Sequence, residues 1–166
     1  MAPAYEIDQS SLMSSYQQLQ TEYHPDRFVN SVEQDKRLAM QITSHINEAY
    51  KTLYGDQTRA RYLLQLAGVV FDADKDTTQD MDFLVTQMTL REAIDQVDNC
   101  CDPLAELDDL SATALEQKKQ LIETFKGYYS SQQFDQAKEA VLKMQFFNRL
   151  HNQIASKQEA LEDEMI

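Results

Sequence analysis

Apolar residues recur at helical spacing along two neighbouring stretches near the start of the chain. The first stretch has Asp8 or Ser10 as its cap and continues through Tyr23, and the second runs from about residue 32 to 53. The predicted faces consist of Leu12, Tyr16, Leu19 and Tyr23 in the first helix and of Leu38, Ile42, Ile46, Ala49 and Leu53 in the second. Because the connection is short, the two helices should pack as an antiparallel pair through these faces.

A third, shorter helix is predicted after this pair. Gly55 is suited to terminate the second helix, and Asp56 can cap the helix that follows. We expect that helix to start at Arg59 and to end at Gly68. Residues 69–78 are rich in aspartate and threonine, which is typical of an exposed connector.

The helix predicted to begin near Thr78 or Gln79 has two distinct faces. At about 100° per residue, an inward group can pack against a bundle, and a second group lies roughly 140° away from it. The inward group is Phe83, Gln87, Leu90, Ile94 and Val97, and the outward group is Leu84, Val85 and Met88, continued by Glu92. An apolar patch beside a carboxylate on an acidic chain indicates a partner-binding site. The pattern also allows a helix that is buried on two sides in a three-helix core.

Two long helices complete the predicted fold. Asp102 and Pro103 read as an N-cap followed by proline at the first helical position, and residues 130–132 break this helix. The last helix should run from about residue 135 to 161. The expected core positions are Leu107, Ala114, Leu121, Ile122, Phe125 and Tyr128, followed by Ala140, Met144, Phe147, Ile154 and Leu161. Phe146 stands off this face, and the pattern allows it either to pack beneath the preceding turn or to join the outward patch. The sequence therefore predicts an all-α chain with an N-terminal helical hairpin and a C-terminal three-helix bundle.

Composition narrows the possible functions. The net charge of −13 argues against nucleic-acid binding, because affinity for a phosphate backbone comes from lysine and arginine. The sequence contains neither an apolar run of about 18 residues nor a basic and then apolar N-terminus. We therefore expect no membrane span, no secretory signal and a cytoplasmic location.

Residue types that bind metals are present, but their spacing does not predict a site. Cys100 and Cys101 are adjacent and match no zinc spacing, so we interpret them as two reduced thiols. The aspartates of residues 72–76 lack the glycine and the terminal glutamate of a calcium loop. His45 has no second ligand at a matching spacing. We therefore predict no metal and no cofactor.

The most informative stretch is Tyr23-His24-Pro25-Asp26-Arg27, which lies where the first helix has to stop. Proline lacks an N–H and disfavours helical geometry at His24, and Asp26 can hydrogen-bond the freed backbone of the turn. A stiff, polar loop between two helices is suited to contact a partner.

Catalysis by the chain itself is not expected. His24 beside Asp26 could act as an acid or base, but the sequence shows no pairing of nucleophile with base and no phosphate-binding glycine loop. A small hydrolase that uses His24 stays as an alternative, which would require turnover by the isolated chain.

The His-Pro-Asp tip at residues 24–26, at the joint of a helical hairpin, resembles the tip of a J-domain, and Arg59 and Tyr62 are spaced as in J-domains. A three-helix bundle follows, and its first helix contains the run FLVTQMTLRE at residues 83–92. Together these features resemble the HscB family of co-chaperones for iron–sulfur cluster assembly.

The resemblance implies a domain organisation. It places a J-domain at residues 1–70, a linker at 71–78 and a scaffold-binding bundle at 79–166. Members of the family have a short Tyr-Phe-x-Leu-type segment before the first long helix, and we expect this segment to be missing here.

The resemblance also implies two protein partners. A co-chaperone of this family binds the iron–sulfur scaffold protein IscU, delivers it to the heat-shock ATPase HscA and stimulates ATP hydrolysis there. The implied ATPase-activating tip is His24, Pro25, Asp26 and Arg27, and the implied scaffold-binding residues are Leu84, Val85, Met88, Glu92 and Phe146. Gln96 stands where the family often has a carboxylate. The alternative is a J-domain adaptor that delivers a different client to a general heat-shock chaperone.

The charge on the first helix bears on the choice of ATPase. J-domains that serve general chaperones usually carry several lysines or arginines on the helix before the tip, whereas residues 10–23 contain none and Glu22 adds a negative charge. We expect Arg27, Lys36 and Arg37 to supply the positive contact that remains, and a dedicated ATPase to be preferred.

Overall fold

The computed structural model describes residues 4–29, 31–72 and 76–164, and these contain helices and no strand. The chain divides into two compact units between Leu66 and Ala67. The first unit holds α1 (Gln9–Tyr23), α2 (Glu33–Tyr54) and α3 (Asp56–Leu66), and the second holds α4 (Met81–Gln96), α5 (Pro103–Ser130) and α6 (Phe134–Glu164). The predicted all-α class, with a helical hairpin followed by a three-helix bundle, is confirmed.

The first two helices begin and end close to their predicted limits for local reasons. Asp8 caps α1 and accepts a hydrogen bond from the Ser10 N–H at 3.0 Å. Pro25 cannot continue α1, and a short 3₁₀ helix, Pro25–Phe28, follows at once. This 3₁₀ turn was not predicted from the sequence, and it occupies the tip between the two helices.

The interface between α1 and α2 is largely polar and aromatic. The rings of Tyr16 and Tyr50 stack with centroids 4.2 Å apart, and the Tyr16 hydroxyl donates to Asn47 Oδ1 at 2.9 Å. Thr43 donates its hydroxyl hydrogen bond to the Tyr23 carbonyl at 2.8 Å. The antiparallel packing is confirmed. Part of the interface consists of polar and aromatic side chains, which the spacing of apolar residues does not predict.

Three positions predicted on the facing stripes are wrong. Leu19, Leu38 and Ala49 are exposed, whereas Ala39 is buried beside the predicted Ile46. The reason is a rotation of the buried face of α2 towards the polar and aromatic groups that contact α1. Helical periodicity gives the spacing of a face more reliably than its direction.

The third helix begins at Asp56, three residues before the predicted start at Arg59. Arg59 is buried, and its guanidinium donates to the carbonyls of Leu53 at 2.6 Å and Tyr54 at 3.2 Å, which satisfies the C-terminal end of α2. The ring of Tyr5 covers this guanidinium at 4.6 Å. Arg59 therefore joins α2 to α3 inside the first unit.

The segment interpreted as an exposed connector is tied to the second unit in its described part. Lys138 of α6 donates to the Val70 carbonyl at 2.9 Å and to Asp76 at 2.7 Å. Thr78 is buried and donates to Glu139. The described part of the segment is a connector without helix or strand, as predicted, but it is only partly exposed, because α6 supplies polar partners for it. Asp74 and Lys75 lie outside the described residues.

The three-helix bundle forms as its apolar period predicts, and Asp102 caps α5 directly before Pro103, as expected. Helix α4 begins at Met81, slightly later than the predicted start near residue 78 or 79, and the Asp80 side chain is its cap. Gln132, with φ 58°, lies in the turn between α5 and α6, where the sequence predicts a break. The principal core cluster is Phe83, Leu90, Ile94, Val97, Leu107, Ala114, Phe146, Phe147, Leu150 and Ile154.

Candidate functional site

The tip between α1 and α2 exposes its two titratable side chains. His24 and Asp26 are both exposed, and the His24 carbonyl accepts a hydrogen bond from the Arg27 N–H at 3.0 Å. The Asp26 N–H lies 3.3 Å from His24 Nδ1, so in this hydrogen bond Nδ1 is the unprotonated nitrogen. The Asp26 carboxylate lies 3.6 Å from the same nitrogen. The Asp26 backbone N–H thus orients the His24 ring, and Nε2 of His24 is left as the outer ring nitrogen.

The tip is braced from both helices. Arg27 turns back and donates to the Thr21 carbonyl at 3.0 Å, which satisfies an acceptor near the C-terminal end of α1. Thr43 of α2 holds the Tyr23 carbonyl. The pKa of the Tyr23 phenol is raised, first by its hydrogen bond with Glu22 and then by the charge of that carboxylate. Arg27 therefore helps to shape the tip as well as carrying charge.

The predicted division of α4 into an inward and an outward face is confirmed. Phe83, Leu90 and Ile94 are buried in the bundle core. On the other face Val85 is 60% and Met88 62% exposed. The alternative, a helix buried on both sides within the second unit, therefore does not hold.

The remaining residues of the predicted patch differ in their exposure. Glu92 is exposed at the end of the outward face, while Leu84 is half-buried. Met81 is 70% exposed and extends the same face by one turn. Met81 was not predicted from the sequence, although its position four residues before Val85 is the helical signal that could have indicated it.

Phe146 does not lie on the outward patch. It is 6% exposed, and its ring meets Phe83 edge-on with centroids 5.6 Å apart and Phe147 at 5.2 Å. The Arg91 guanidinium lies 5.6 Å from its centroid. The expectation that Phe146 contributes an outward surface is corrected, because α6 packs against α4 as well as α5 and so has a wider buried face than one apolar stripe.

The start of α4 is fixed by an ion pair. Asp80 accepts from the Phe83 N–H at 3.1 Å and from the Lys143 ammonium of α6. The hydrogen bond from Lys143, followed by that from Phe83, holds the pKa of the Asp80 carboxyl below its ordinary value of 3.8. The same ammonium lies 5.3 Å from the Phe83 ring centroid. These contacts orient the first turn of the outward face.

The other sequence candidates stay apart from these two regions. His45 is exposed on α2, and Cys100 and Cys101 are exposed free thiols. Within the part of the chain that the structure describes, no three histidine, cysteine or acidic side chains converge as a possible metal site. None of the helices described there is long and apolar enough to cross a bilayer.

Comparison with known proteins links both units to one family. The family model described as HSCB C-terminal oligomerisation domain matches residues 79–155. Relatives named co-chaperone protein HscB homolog are 34% identical in Shewanella baltica, over 97% of this chain and 94% of the relative, and 35% identical in Pseudoalteromonas atlantica, over 98% and 95%.

Two solved structures have a similar fold over nearly the whole chain. The chaperone HscB from Vibrio cholerae superposes with a TM-score of 0.81 at 32% identity, covering 98% of this chain and 93% of that one. The human co-chaperone protein HscB also gives 0.81, at 26% identity, covering 94% of this chain and 77% of that one.

An exposed His-Pro-Asp tip between antiparallel helices, on a chain that continues into a separate helical bundle, defines a co-chaperone of the J-domain class. Sequence similarity to the relatives identifies the family within this class. The chain belongs to the HscB family, whose members are co-chaperones of iron–sulfur cluster assembly.

Proposed function

We propose that this chain binds an iron–sulfur scaffold protein of the IscU type, delivers it to a heat-shock ATPase of the HscA type and stimulates ATP hydrolysis by that ATPase. The observation that carries the proposal is the presence of two different exposed surfaces on one chain. One is the polar tip of the first unit, and the other is the apolar and acidic outward face of α4.

The tip acts on the ATPase through a few polar atoms. His24 and Asp26 offer a ring nitrogen and a carboxylate from a loop of fixed geometry, and Pro25 supplies the stiffness of that loop. Arg27 holds the loop against α1 through the Thr21 carbonyl. A preorganised loop loses little conformational entropy on binding, which favours productive contact with the ATPase. The bond-breaking chemistry takes place in the partner.

The outward face of α4 binds the scaffold through apolar area. Val85 and Met88 provide exposed apolar contact, Leu84 lines the edge, and Glu92 adds a carboxylate. Apolar anchors with a polar rim are the usual composition of a protein–protein contact. Phe146 supports this face from beneath by packing on Phe83.

The proposal is tested by measuring ATP hydrolysis of a purified HscA-type ATPase with this chain, with the scaffold, and with both. We expect the chain and scaffold together to give the highest rate, and His24→Gln to remove the contribution of the chain. No stimulation of the HscA-type ATPase and no binding of the scaffold, together with stimulation of a general heat-shock chaperone, would instead support the adaptor for a different client.

A further inference from the structure

The apolar stripe on α4 begins one turn before the residues implied by the family resemblance. Met81 is 70% exposed, more than Val85 at 60% or Met88 at 62%. The three residues follow one another at spacings of four and three, so they lie on one side of the helix. At a rise of 1.5 Å per residue the stripe is about 10 Å long.

The exposure of Met81 belongs to an ordered helix start. Directly before it, Asp80 caps the helix through the Phe83 N–H and pairs with Lys143 of α6. Thr78, two residues further back, is buried and donates to Glu139 of α6. The backbone that carries Met81 is thus fixed to the bundle on its N-terminal side, and a helix end held in this way does not need to be ordered by the partner.

We infer that Met81 is a contact residue for the scaffold protein, which extends the binding surface to the first turn of α4. This inference rests on the proposed function, since it assigns a further residue to the same surface. An unbranched thioether adapts to the shape of a partner, which suits a position at the edge of a contact. Because Asp82 and Glu92 are exposed beside the stripe, the matching scaffold segment should present an apolar side chain flanked by lysine or arginine.

The test is the affinity of the metal-free IscU-type scaffold for the full-length chain, measured by titration calorimetry. Met81→Ala should weaken binding on the order of fivefold, as expected for loss of one apolar anchor. Met81→Leu should restore affinity to within about twofold, because it replaces most of the apolar area. Met40→Ala is the matched control, since Met40 is 62% exposed on α2 and should leave the affinity unchanged.

Val85→Ala, titrated in the same series, separates the role of Met81 from the proposed binding of the scaffold. If Met81→Ala binds the scaffold with wild-type affinity while Val85→Ala binds more weakly, the inference is overturned and the proposed function is retained. Failure of the unmodified chain to bind the scaffold would overturn both. Melting temperatures of all variants should match the wild type, and a lowered value for Met81→Ala would show a structural role and overturn the inference.

Discussion

The tip of the first unit and the outward face of α4 are supported in different ways. No side chain of α1 is buried, and the tip is held by hydrogen bonds to the carbonyls of Thr21 and Tyr23. The outward face of α4 is instead supported by the apolar core, in which the opposite side of the same helix is buried. One surface therefore depends on a few directed polar contacts, and the other on packing.

This difference determines how each surface should respond to substitution. At the tip, a change of one side chain removes specific atoms without removing much buried area, so binding chemistry should change while stability does not. On α4, an outward side chain and its inward neighbour are close in sequence but should differ sharply in their effect on folding.

The largest expected effect is at His24. His24→Gln should abolish stimulation of the HscA-type ATPase, because the imidazole ring is lost. A glutamine amide reaches about as far as Nε2, so it does not replace the Nδ1 acceptor that faces the Asp26 N–H. Because His24 is exposed, we expect the unfolding free energy to change by less than about 0.5 kcal/mol. ATPase rates and circular dichroism of the variant measure the two quantities. Asp26→Asn serves as a second variant at the tip, and full stimulation by either variant would contradict the assigned role.

The next effect contrasts Phe146 with Val85. Phe146→Ala should lower the unfolding free energy of the second unit by about 3 kcal/mol, because it empties a buried aromatic position. Val85→Ala should change it by less than about 0.5 kcal/mol, because the side chain is already exposed. Urea melts of both variants provide the comparison. Equal stability of the two variants would show that Phe146 does not support the face from beneath.

A smaller effect is expected from charge on α1. Adding lysines by Gln17→Lys and Gln18→Lys should increase stimulation of a general heat-shock chaperone severalfold at low salt, since charge steering mainly accelerates encounter. Both side chains are exposed, whereas Gln20 donates to Asn47 and is better left unchanged. ATPase titrations at low and moderate salt measure the gain. A gain that persists undiminished at moderate salt, or none at low salt, would show that charge on this helix does not set partner choice.

The smallest effect concerns the ion pair at the start of α4. Because the pKa of Asp80 is lower in the folded chain than its ordinary value of 3.8, its ionisation stabilises the fold above that pH. This contribution is lost as the pH falls through the lowered pKa. Asp80→Asn should therefore melt at a lower temperature than wild type near pH 7. This difference in melting temperature should disappear as the pH falls below about 3.8. A gap that stays constant down to pH 3 would indicate that the cap, and not the charge, is what Asp80 contributes.

The elements that the sequence predicts best are those with local causes. Asp8, Asp102 and Pro103 mark their helix ends by capping chemistry, and the structure places them at those ends. The outward direction of Val85 and Met88 also follows from the arithmetic of one helix. Both kinds of inference need no knowledge of which helices pack together.

The features that escaped prediction depend on contacts between elements. Phe146 is buried because α6 touches α4 as well as α5, and Thr78 is buried because Glu139 of α6 accepts its hydrogen bond. Leu38 is exposed because the face of α2 that meets α1 passes through Ala39, Thr43 and Tyr50 instead. The spacing of apolar residues within one helix does not show which other helices pack against it.

The central claim, that the tip and the scaffold surface act together because they lie on one chain, is tested most directly by mixing two variants. His24→Gln keeps the scaffold surface without an active tip, and Val85→Ala with Met88→Ala keeps the tip without the scaffold surface. The measurement is ATP hydrolysis by the HscA-type ATPase in the presence of scaffold, with wild type, with each variant and with the mixture at the same total concentration. We predict that the mixture stimulates no more than the tip-active variant alone, far below wild type. A mixture that reaches the wild-type rate would contradict delivery by a single chain.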